Sequence, residues 1–223
     1  MTSGRETKNV LYDLVARIAR AVASPKRLEL IELLCQAPKS VATLAREADI
    51  TVNLASAHLK ELRANRLVET ERQGKNIIYR LASPDIAQFW VALRMLAEDR
   101  LIELQEAIRN LGAPDSAWQG ERREALLRKA RRGDVIVLDV RPRSEYEEQH
   151  LPFARSLPLG ELRARLAELP KDKPIVAYCR GPFCLMSGEA VTLLTKRGFQ
   201  ASKLADGVSE WFAAGLPLQA GAR

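Results

Sequence analysis

The chain has 223 residues, a formal net charge of +7 and three cysteines. This length allows two small domains with separate cores, and the basic charge permits a nucleic-acid partner without requiring one. Three cysteines, two of them in one short stretch, exclude the disulfide framework of a small secreted protein. Because the N-terminal residues are polar and no apolar run reaches membrane-spanning length, we expect a cytoplasmic protein without a membrane partner.

Four helices are predicted in the first third of the chain from apolar residues at helical spacing. They cover residues 10–22, 26–36, 41–48 and 52–65. Ser24 and Pro25 suit the cap and first position of the second helix, and Ser40 and Thr51 are expected to cap the third and fourth. The third and fourth helices are short and joined by a tight turn, which predicts a helix-turn-helix.

Two strands, 67–72 and 76–81, are predicted around the turn Gln73-Gly74-Lys75, which makes a hairpin with a basic tip. A helix-turn-helix followed by a basic hairpin is the winged form of this DNA-binding fold. Residues 24–82 resemble the ArsR-type winged-helix repressors, and Asn53-x-x-Ser56-x-His58-Leu59-x-x-Leu62 is similar to the recognition helix of that family. The resemblance implies a homodimeric repressor that binds double-stranded operator DNA and releases it when an effector binds.

The predicted DNA contacts lie on the fourth helix and on the hairpin. The fourth helix is expected to enter the major groove, where four side chains would lie near base edges or phosphates. They are Asn53, Ser56, His58 and Lys60. At the hairpin, Arg72 and Lys75 are expected to contact the DNA backbone or the minor groove.

A long helix is predicted after the hairpin. Its apolar residues fall mostly three and four apart over about seven turns. They are Ile86, Trp90, Leu93, Ala97, Leu101, Leu104, Ile108 and Leu111. This stripe packs either against its own chain or against a second copy. We expect a homodimer, because two-fold symmetry matches palindromic DNA half-sites.

Residues 112–120 are predicted to link two domains. We assign residues 1–112 to a DNA-binding and dimerisation domain of mainly α winged-helix type, and residues 121–219 to a second domain. The second domain begins with a basic amphipathic helix over 121–132, whose arginines are expected to face solvent. Strands and helices then alternate, with one helix expected over 161–169, which predicts an α/β fold with a mostly parallel sheet.

Cys179 is the predicted reactive residue. A short apolar strand, 174–178, ends directly before it, and a helix over 189–197 follows the intervening loop. Such a loop directs backbone N–H groups and the positive end of the helix dipole inward. That field lowers a thiol pKa and stabilises an anion, which favours a nucleophile over a buried structural cysteine.

The second half is similar to the rhodanese, or sulfurtransferase, domain. The matching segments are Leu138-Asp139-Val140-Arg141, Glu145-Tyr146, His150-Leu151-Pro152-x-Ala154, Tyr178-Cys179-Arg180, Gly198-Phe199 and Trp211-x-x-x-Gly215-x-Pro217. The resemblance implies that Cys179 is the sulfur-accepting nucleophile. It also implies residues that mainly hold the scaffold, namely Asp139, Arg141, His150 and Trp211.

The Cys179 loop departs from the rhodanese pattern, which usually places an arginine and a glycine late in the loop to help hold thiosulfate. Pro182, Phe183 and Cys184 stand there instead, which leaves Arg180 as the loop cation and disfavours efficient thiosulfate turnover. Related arsenate reductases and phosphatases need an arginine where this chain has Leu185, so oxyanion hydrolysis is not expected.

Cys184 has two interpretations. A curled loop would bring it within reach of Cys179 for a disulfide or a bridge with additional sulfur, or Cys184 only packs the loop. Cys35 lies on the predicted core face of the second helix and is expected to be structural. No metal site or cofactor is predicted, because the third helix and residues 85–111 lack the cysteines and histidines of metal-sensing relatives. Arsenite on the Cys179/Cys184 pair stays open.

These features predict a dimeric DNA-binding regulator whose rhodanese-like domain senses or transfers reactive sulfur through Cys179. The expected effector is a small sulfur compound, namely a persulfide, a polysulfide or thiosulfate. The alternative is a sulfurtransferase that its DNA-binding half tethers to DNA.

Overall fold

The computed structural model describes residues 4–111 and 123–221, so the linker predicted over 112–120 lies outside the described residues. The chain divides into two compact units with the boundary between Trp90 and Val91. The domain bounds 1–112 and 121–219 stay a prediction. No helix in the described ranges is long and apolar enough to cross a membrane.

The first unit contains the predicted helix-turn-helix and hairpin. Its elements are α1 (Gly4–Val22), α2 (Pro25–Leu34), β1 (Lys39–Ser40), α3 (Val41–Glu47), α4 (Val52–Ala64), β2 (Val68–Gln73) and β3 (Asn76–Leu81). The hydroxyl groups of Ser40 and Thr51 cap α3 and α4, each accepting a backbone N–H at 3.2 Å. The antiparallel sheet has the order β1-β3-β2. Strand β1 was not predicted, because two residues carry no periodicity.

Helix α4 packs against α2 and α3 through one face. Ala55, Leu59 and Leu62 lie on that face and are fully buried. Their spacing of four and three residues is the helical repeat, so the rest of the α4 surface is left for solvent or a ligand. Truncating a leucine of this kind to alanine typically costs about 2–5 kcal/mol, which makes this face the anchor of the helix-turn-helix.

The single helix predicted from Ile86 to Leu111 is wrong, because the structure contains two helices. Helix α5 spans Asp85–Arg100 and α6 spans Ile102–Asn110, and Leu101 between them has extended backbone angles, φ −111° and ψ 102°. A break of one residue leaves the apolar spacing almost unchanged, so periodicity does not reveal it. The first residues of the apolar stripe, Ile86 and Trp90, are buried within their own chain, so they are not exposed for contact with a second copy.

The second unit also contains an α/β fold around a parallel sheet, as predicted. The boundary between the units falls within α5, and the elements of the second unit after α6 are α7 (Arg123–Arg132), β4 (Ile136–Asp139), α8 (Arg143–Glu148), β5 (Arg155–Ser156), α9 (Leu159–Leu162), β6 (Ile175–Tyr178), α10 (Met186–Lys196), β7 (Ala201–Lys203) and α11 (Val208–Ala213). All strand pairs are parallel, in the order β5-β4-β6-β7.

The helix expected over 161–169 is wrong in extent. Helix α9 already ends at Leu162, and a separate 3-10 turn spans Leu166–Glu168. Arg165 between them has non-helical backbone angles, φ −112° and ψ 17°. Its guanidinium binds the carboxylates of Glu161 and Glu168 on the two sides of the break. These local ion pairs form between charged side chains, so the spacing of apolar residues does not predict the break.

Alternation along β6 determines which way the reactive cysteine faces. Val176 and Tyr178 belong to the apolar cluster that contains residues of α7 and α11. Cys179 belongs to the opposite cluster, together with Ala190 and Val191 of α10. Because successive side chains of a strand point to opposite faces, the register of β6 directs Cys179 toward α10.

Candidate functional site

The sulfur of Cys179 lies between the end of β6 and the first turn of α10. Helix α10 begins at Met186, three residues earlier than the predicted 189, so the loop is shorter than expected. The Cys179 side chain is 1% exposed, and its Sγ lies 3.1 Å from the Oγ of Ser187. No side chain of the N-cap residue Leu185 caps this helix, so the N-terminal N–H groups are available to an anion at Cys179.

Burial disfavours the Cys179 thiolate and raises its pKa, but hydrogen bonds to the sulfur lower the pKa by more than burial raises it. The Cys184 thiol, the Ser187 hydroxyl and the backbone N–H groups of Ser187 and Gly181 donate to its sulfur and hold the pKa of Cys179 well below the ordinary thiol value. Donation to Cys179 and burial raise the pKa of Cys184. Cys179 is therefore the thiolate of this pair and Cys184 its proton-bearing donor.

This assignment predicts the pH dependence of Cys179 alkylation. Only the thiolate reacts, so a lowered pKa should shift the half-maximal rate with iodoacetamide below the pH of about 8.5 that is typical of a free thiol. Replacing the donor in Cys184→Ala should raise that midpoint by a measurable fraction of a pH unit. Rates are followed by peptide mass spectrometry of the Cys179 peptide. A parent midpoint at or above that of free cysteine would contradict the assignment.

The guanidinium of Arg180 is engaged within the protein. Its Nε lies 3.1 Å from both carboxylate oxygens of Glu145, and its Nη2 lies 2.5 Å from Oε1. Glu145 is fully buried on α8, and the Arg180 side chain is 14% exposed. The loop cation expected from the sequence therefore neutralises a buried carboxylate, which reduces its capacity to hold a dianion such as thiosulfate.

The base of the loop is formed by the N-terminus of α11. The Cα of Gly207 lies so close to the loop that a Cβ there would be 2.6 Å from the carbonyl oxygen of Cys179. Gly181 has φ +142°, and a Cβ there would lie 3.2 Å from both carboxylate oxygens of Glu210. Glu210 also accepts the N–H of Gly207 at 2.7 Å. Side-chain growth at either glycine would displace the loop.

Glu210 was not identified from the sequence. Its side chain is 5% exposed, and burial raises its pKa, although Arg94 and the backbone N–H groups of Gly207 and Glu210 counteract this. The only local signal is a glutamate three residues after Gly207, the spacing of a helix-capping carboxylate. Its contact with residues 179–185, which we call the cysteine loop, depends on tertiary packing.

A buried charge network supports the strand that precedes Cys179. Arg141 and Asp139 are fully buried, with Nη2 of Arg141 2.7 Å from Oδ2 of Asp139. The hydroxyl of Tyr178 donates to the same carboxylate at 2.5 Å. The end of β4 is thereby joined to the residue next to Cys179. Breaking such a pair typically costs about 3–5 kcal/mol, because an unpaired charge is left buried.

The predicted DNA-contacting residues divide into a helix group and a hairpin group. Asn53, Ser56 and Lys60 are spaced by three and four residues and share one side of α4, where Asn53 and Lys60 are exposed and Ser56 is half-buried. His58 is also half-buried but lies beside the packed face that contains Leu59. His58 is thus less accessible to a ligand on the Asn53 side.

The hairpin group is at the turn between β2 and β3. Lys75 is exposed at the tip, and Nε of Arg72 donates to the carbonyl of Gly74 at 3.2 Å.

Among the predicted site residues, the structure brings Cys179 and Cys184 together in one loop, and Asn53, Ser56 and Lys60 onto one side of α4. Within residues 4–111 and 123–221, no group of three or more His, Cys, Asp or Glu side chains is placed to hold a metal ion.

Comparisons with known proteins find similarity over two separate segments of the chain and over its whole length. Residues 24–70 match the family described as bacterial regulatory protein, arsR family, and residues 123–214 match the rhodanese-like domain. The HTH-type transcriptional regulator Rv0324 of Mycobacterium tuberculosis is 38% identical over 223 residues, which cover 100% of this chain and 97% of the relative.

Two further matches cover part of the chain. A sulfurtransferase of Allochromatium vinosum is 33% identical over 88 residues, 39% of this chain and 80% of that protein. Among solved structures, the homodimeric winged helix-turn-helix DNA-binding domain of Mb0332 from Mycobacterium bovis has 32% identity and a TM-score of 0.42. It covers 46% of this chain and 95% of that one.

Proposed function

Because this chain belongs to the arsR family of bacterial regulatory proteins and joins a winged helix-turn-helix to a rhodanese-like domain, we propose that it is a homodimeric repressor whose DNA binding responds to reactive sulfur at Cys179. One observation carries the sulfur proposal. The Cys179 thiolate is stabilised at the N-terminus of α10 and accepts a hydrogen bond from a second thiol, that of Cys184. This adjacency supports the roles that we propose, with Cys179 as the nucleophile and Cys184 as the resolving thiol.

The proposed chemistry begins with attack of the Cys179 thiolate on the terminal sulfur of a persulfide or polysulfide donor. The S–S bond of the donor breaks, a new S–S bond forms on Cys179, and the remainder of the donor leaves as a thiolate. Cys184 then attacks the inner sulfur of the Cys179 persulfide. A disulfide forms, the outer sulfur takes the proton of Cys184, and it leaves as hydrogen sulfide. The sulfur of the donor accepts both electrons, so no other oxidant takes part.

A sulfurtransferase is the second candidate, favoured by the identity of 33% to a sulfurtransferase over 88 residues. In that case Cys179 would pass its sulfur to an external thiol rather than to Cys184. Thiosulfate is the less favoured donor in either case, because the guanidinium of Arg180 is held by the buried carboxylate of Glu145. A persulfide or polysulfide needs no fixed dianion site, which is why we propose this donor class.

We propose that α4 reads the operator with the side that carries Asn53, Ser56 and Lys60. The hairpin then binds the phosphate backbone of the DNA. Asn and Ser side chains form hydrogen bonds with base edges, and Lys binds guanine or phosphate. His58 is kept as a phosphate or positioning contact, since it lies toward the packed side of α4. Arg72 and Lys75 supply the positive charge of the hairpin tip.

Lys75→Ala is expected to weaken binding to all DNA sequences about equally and to reduce the salt slope of log K by about one. The reason is that a phosphate contact releases counterions but carries no sequence information. Fluorescence anisotropy at several salt concentrations, on operator and scrambled duplexes, measures both quantities. A change in base preference with an unaltered salt slope would show that Lys75 reads sequence instead.

We propose that the dimer forms mainly through α1. Five apolar side chains of this helix are each more than one third exposed in the single chain. They are Val10, Leu11, Leu14, Val15 and Ile18, at 56%, 59%, 54%, 70% and 37%. Their spacing places them on one side of α1, and an apolar side of this size is typical of an interface.

The decisive experiment is gel-shift binding of the full chain to its own promoter, with and without a polysulfide donor. Mass spectrometry of Cys179 and Cys184 runs in parallel. Release of DNA together with a Cys179–Cys184 bridge supports the proposal. Arms with thiosulfate and with arsenite test the other effectors. Sulfur transfer to an added thiol without any effect on DNA binding would favour the sulfurtransferase, and release by arsenite alone would favour a metalloid sensor.

A further inference from the structure

Arg94 is a buried arginine of α5 that contacts the cysteine loop. Its side chain is 3% exposed, and its Nη2 donates to Oε1 of Glu210 at 3.0 Å. Its Nη1 pairs with the carboxylate of Glu98 on the same helix. The guanidinium carbon lies 5.8 Å from the centroid of the Phe183 ring. A buried guanidinium with two carboxylates and an aromatic ring is held in one position, and moving any partner changes its energy.

The partners of Arg94 touch the cysteine loop at two points. Glu210 accepts the N–H of Gly207, which lies against the carbonyl of Cys179, and the carboxylate of Glu210 lies against Gly181. Phe183 directly precedes Cys184. Arg94 is thus in contact with Phe183, the neighbour of Cys184, and with Glu210, which lies against Gly181 of the same loop.

Helix α5 carries Arg94 on a continuous backbone that begins in the first unit. Ile86 and Trp90 of this helix are buried, and Arg94 follows Trp90 by four residues, which is about one helical turn. Hydrogen bonds join the turns of a regular helix, so a shift of the α5 backbone at Arg94 is shared by the residues one turn before it.

We propose that Arg94 couples the oxidation state of the Cys179–Cys184 loop to α5, and this inference rests on the proposed function. Forming the bridge draws the loop backbone between Gly181 and Cys184 inward. The Phe183 ring leaves the Arg94 guanidinium, and Gly181 leaves the Glu210 carboxylate. The reduced and bridged states then differ in the contacts that α5 makes, which is the condition for one site to affect another.

The test compares the full-length parent with Arg94→Met, which keeps an unbranched apolar stem and removes the charge. Arg100→Met is the matched control, because Arg100 is on the same helix and its side chain is 73% exposed. The operator Kd is measured by anisotropy before and after treatment with polysulfide, and mass spectrometry measures the bridge. We expect the Kd of the parent and of Arg100→Met to rise about fivefold or more. For Arg94→Met we expect an unchanged reduced-state Kd, normal bridge formation and a rise below about twofold.

A full Kd response in Arg94→Met would overturn the inference. If circular dichroism shows that Arg94→Met does not fold, Glu210→Gln is tested in its place. The amide oxygen of the glutamine can still accept the N–H of Gly207, but the ion pair with Arg94 is lost. The same loss of response is expected there, and a full response overturns the inference. A parent that forms the bridge but keeps its operator Kd overturns the proposed function as well, whereas a responding parent with responding variants overturns only the role of Arg94.

Discussion

A Cys179→Ser protein is expected to bind operator DNA as the parent does and to lose the entire response to a polysulfide donor. Serine keeps the size of the side chain but is not a nucleophile at neutral pH, so no persulfide forms at this position. The loop loses its buried thiolate but keeps the hydroxyl of Ser187 as a hydrogen-bonding partner. Anisotropy with and without donor measures the response, and mass spectrometry follows the sulfur.

The two other cysteines serve as controls for this result. Cys184→Ser should still accept sulfur at Cys179 but respond weakly or reversibly, because no bridge forms. Cys35 terminates α2 in the first unit, and Cys35→Ser should respond like the parent with some loss of stability. A response that survived in Cys179→Ser and vanished in Cys35→Ser would place the sensing thiol in the winged helix. The rhodanese-like domain would then be an enzyme in its own right.

A Val15→Glu protein is expected to be monomeric at micromolar concentration and to lose most of its operator affinity. Val15 is 70% exposed in the single chain, so the glutamate should leave the protomer folded. In the proposed dimer the same carboxylate would be buried without a partner, at a cost of several kcal/mol. A cost of that size weakens dimerisation by about a hundredfold or more. Sedimentation velocity gives the assembly state, and anisotropy gives the loss of affinity for a two-half-site operator.

Asn9→Glu is the matched control for the dimer, because Asn9 is exposed on the opposite side of α1 and gains the same charge. It should remain dimeric. Leu101→Glu tests the interface that the apolar stripe predicted, since Leu101 is 44% exposed between α5 and α6. If Val15→Glu stayed dimeric and Leu101→Glu became monomeric, the interface would lie at the break between those helices and not on α1.

Local patterns in the sequence determined the helix-turn-helix and the position of the reactive loop. Caps such as Ser40 and Thr51 and the apolar repeat of each helix define the helix-turn-helix, because both act within one or two turns. The short apolar strand before Cys179 and the helix after it are also local signals, and they indicated an anion-stabilising loop. The resemblance to ArsR-type regulators and to rhodanese-like domains is confirmed by the matches over residues 24–70 and 123–214.

Tertiary structure alone decided which charges meet at the loop. Arg180 pairs with Glu145, 35 residues away, and Arg94 pairs with Glu210, 116 residues away. Pairs so distant in sequence leave no periodic trace, and a charged residue looks the same in sequence whether it is solvated or buried against a partner. The helix break at Leu101 and the two-residue strand β1 are hidden for a related reason. The break is one residue of extended backbone, and β1 exists only through its pairing with β3, so each involves too few residues to leave a periodic pattern in the sequence.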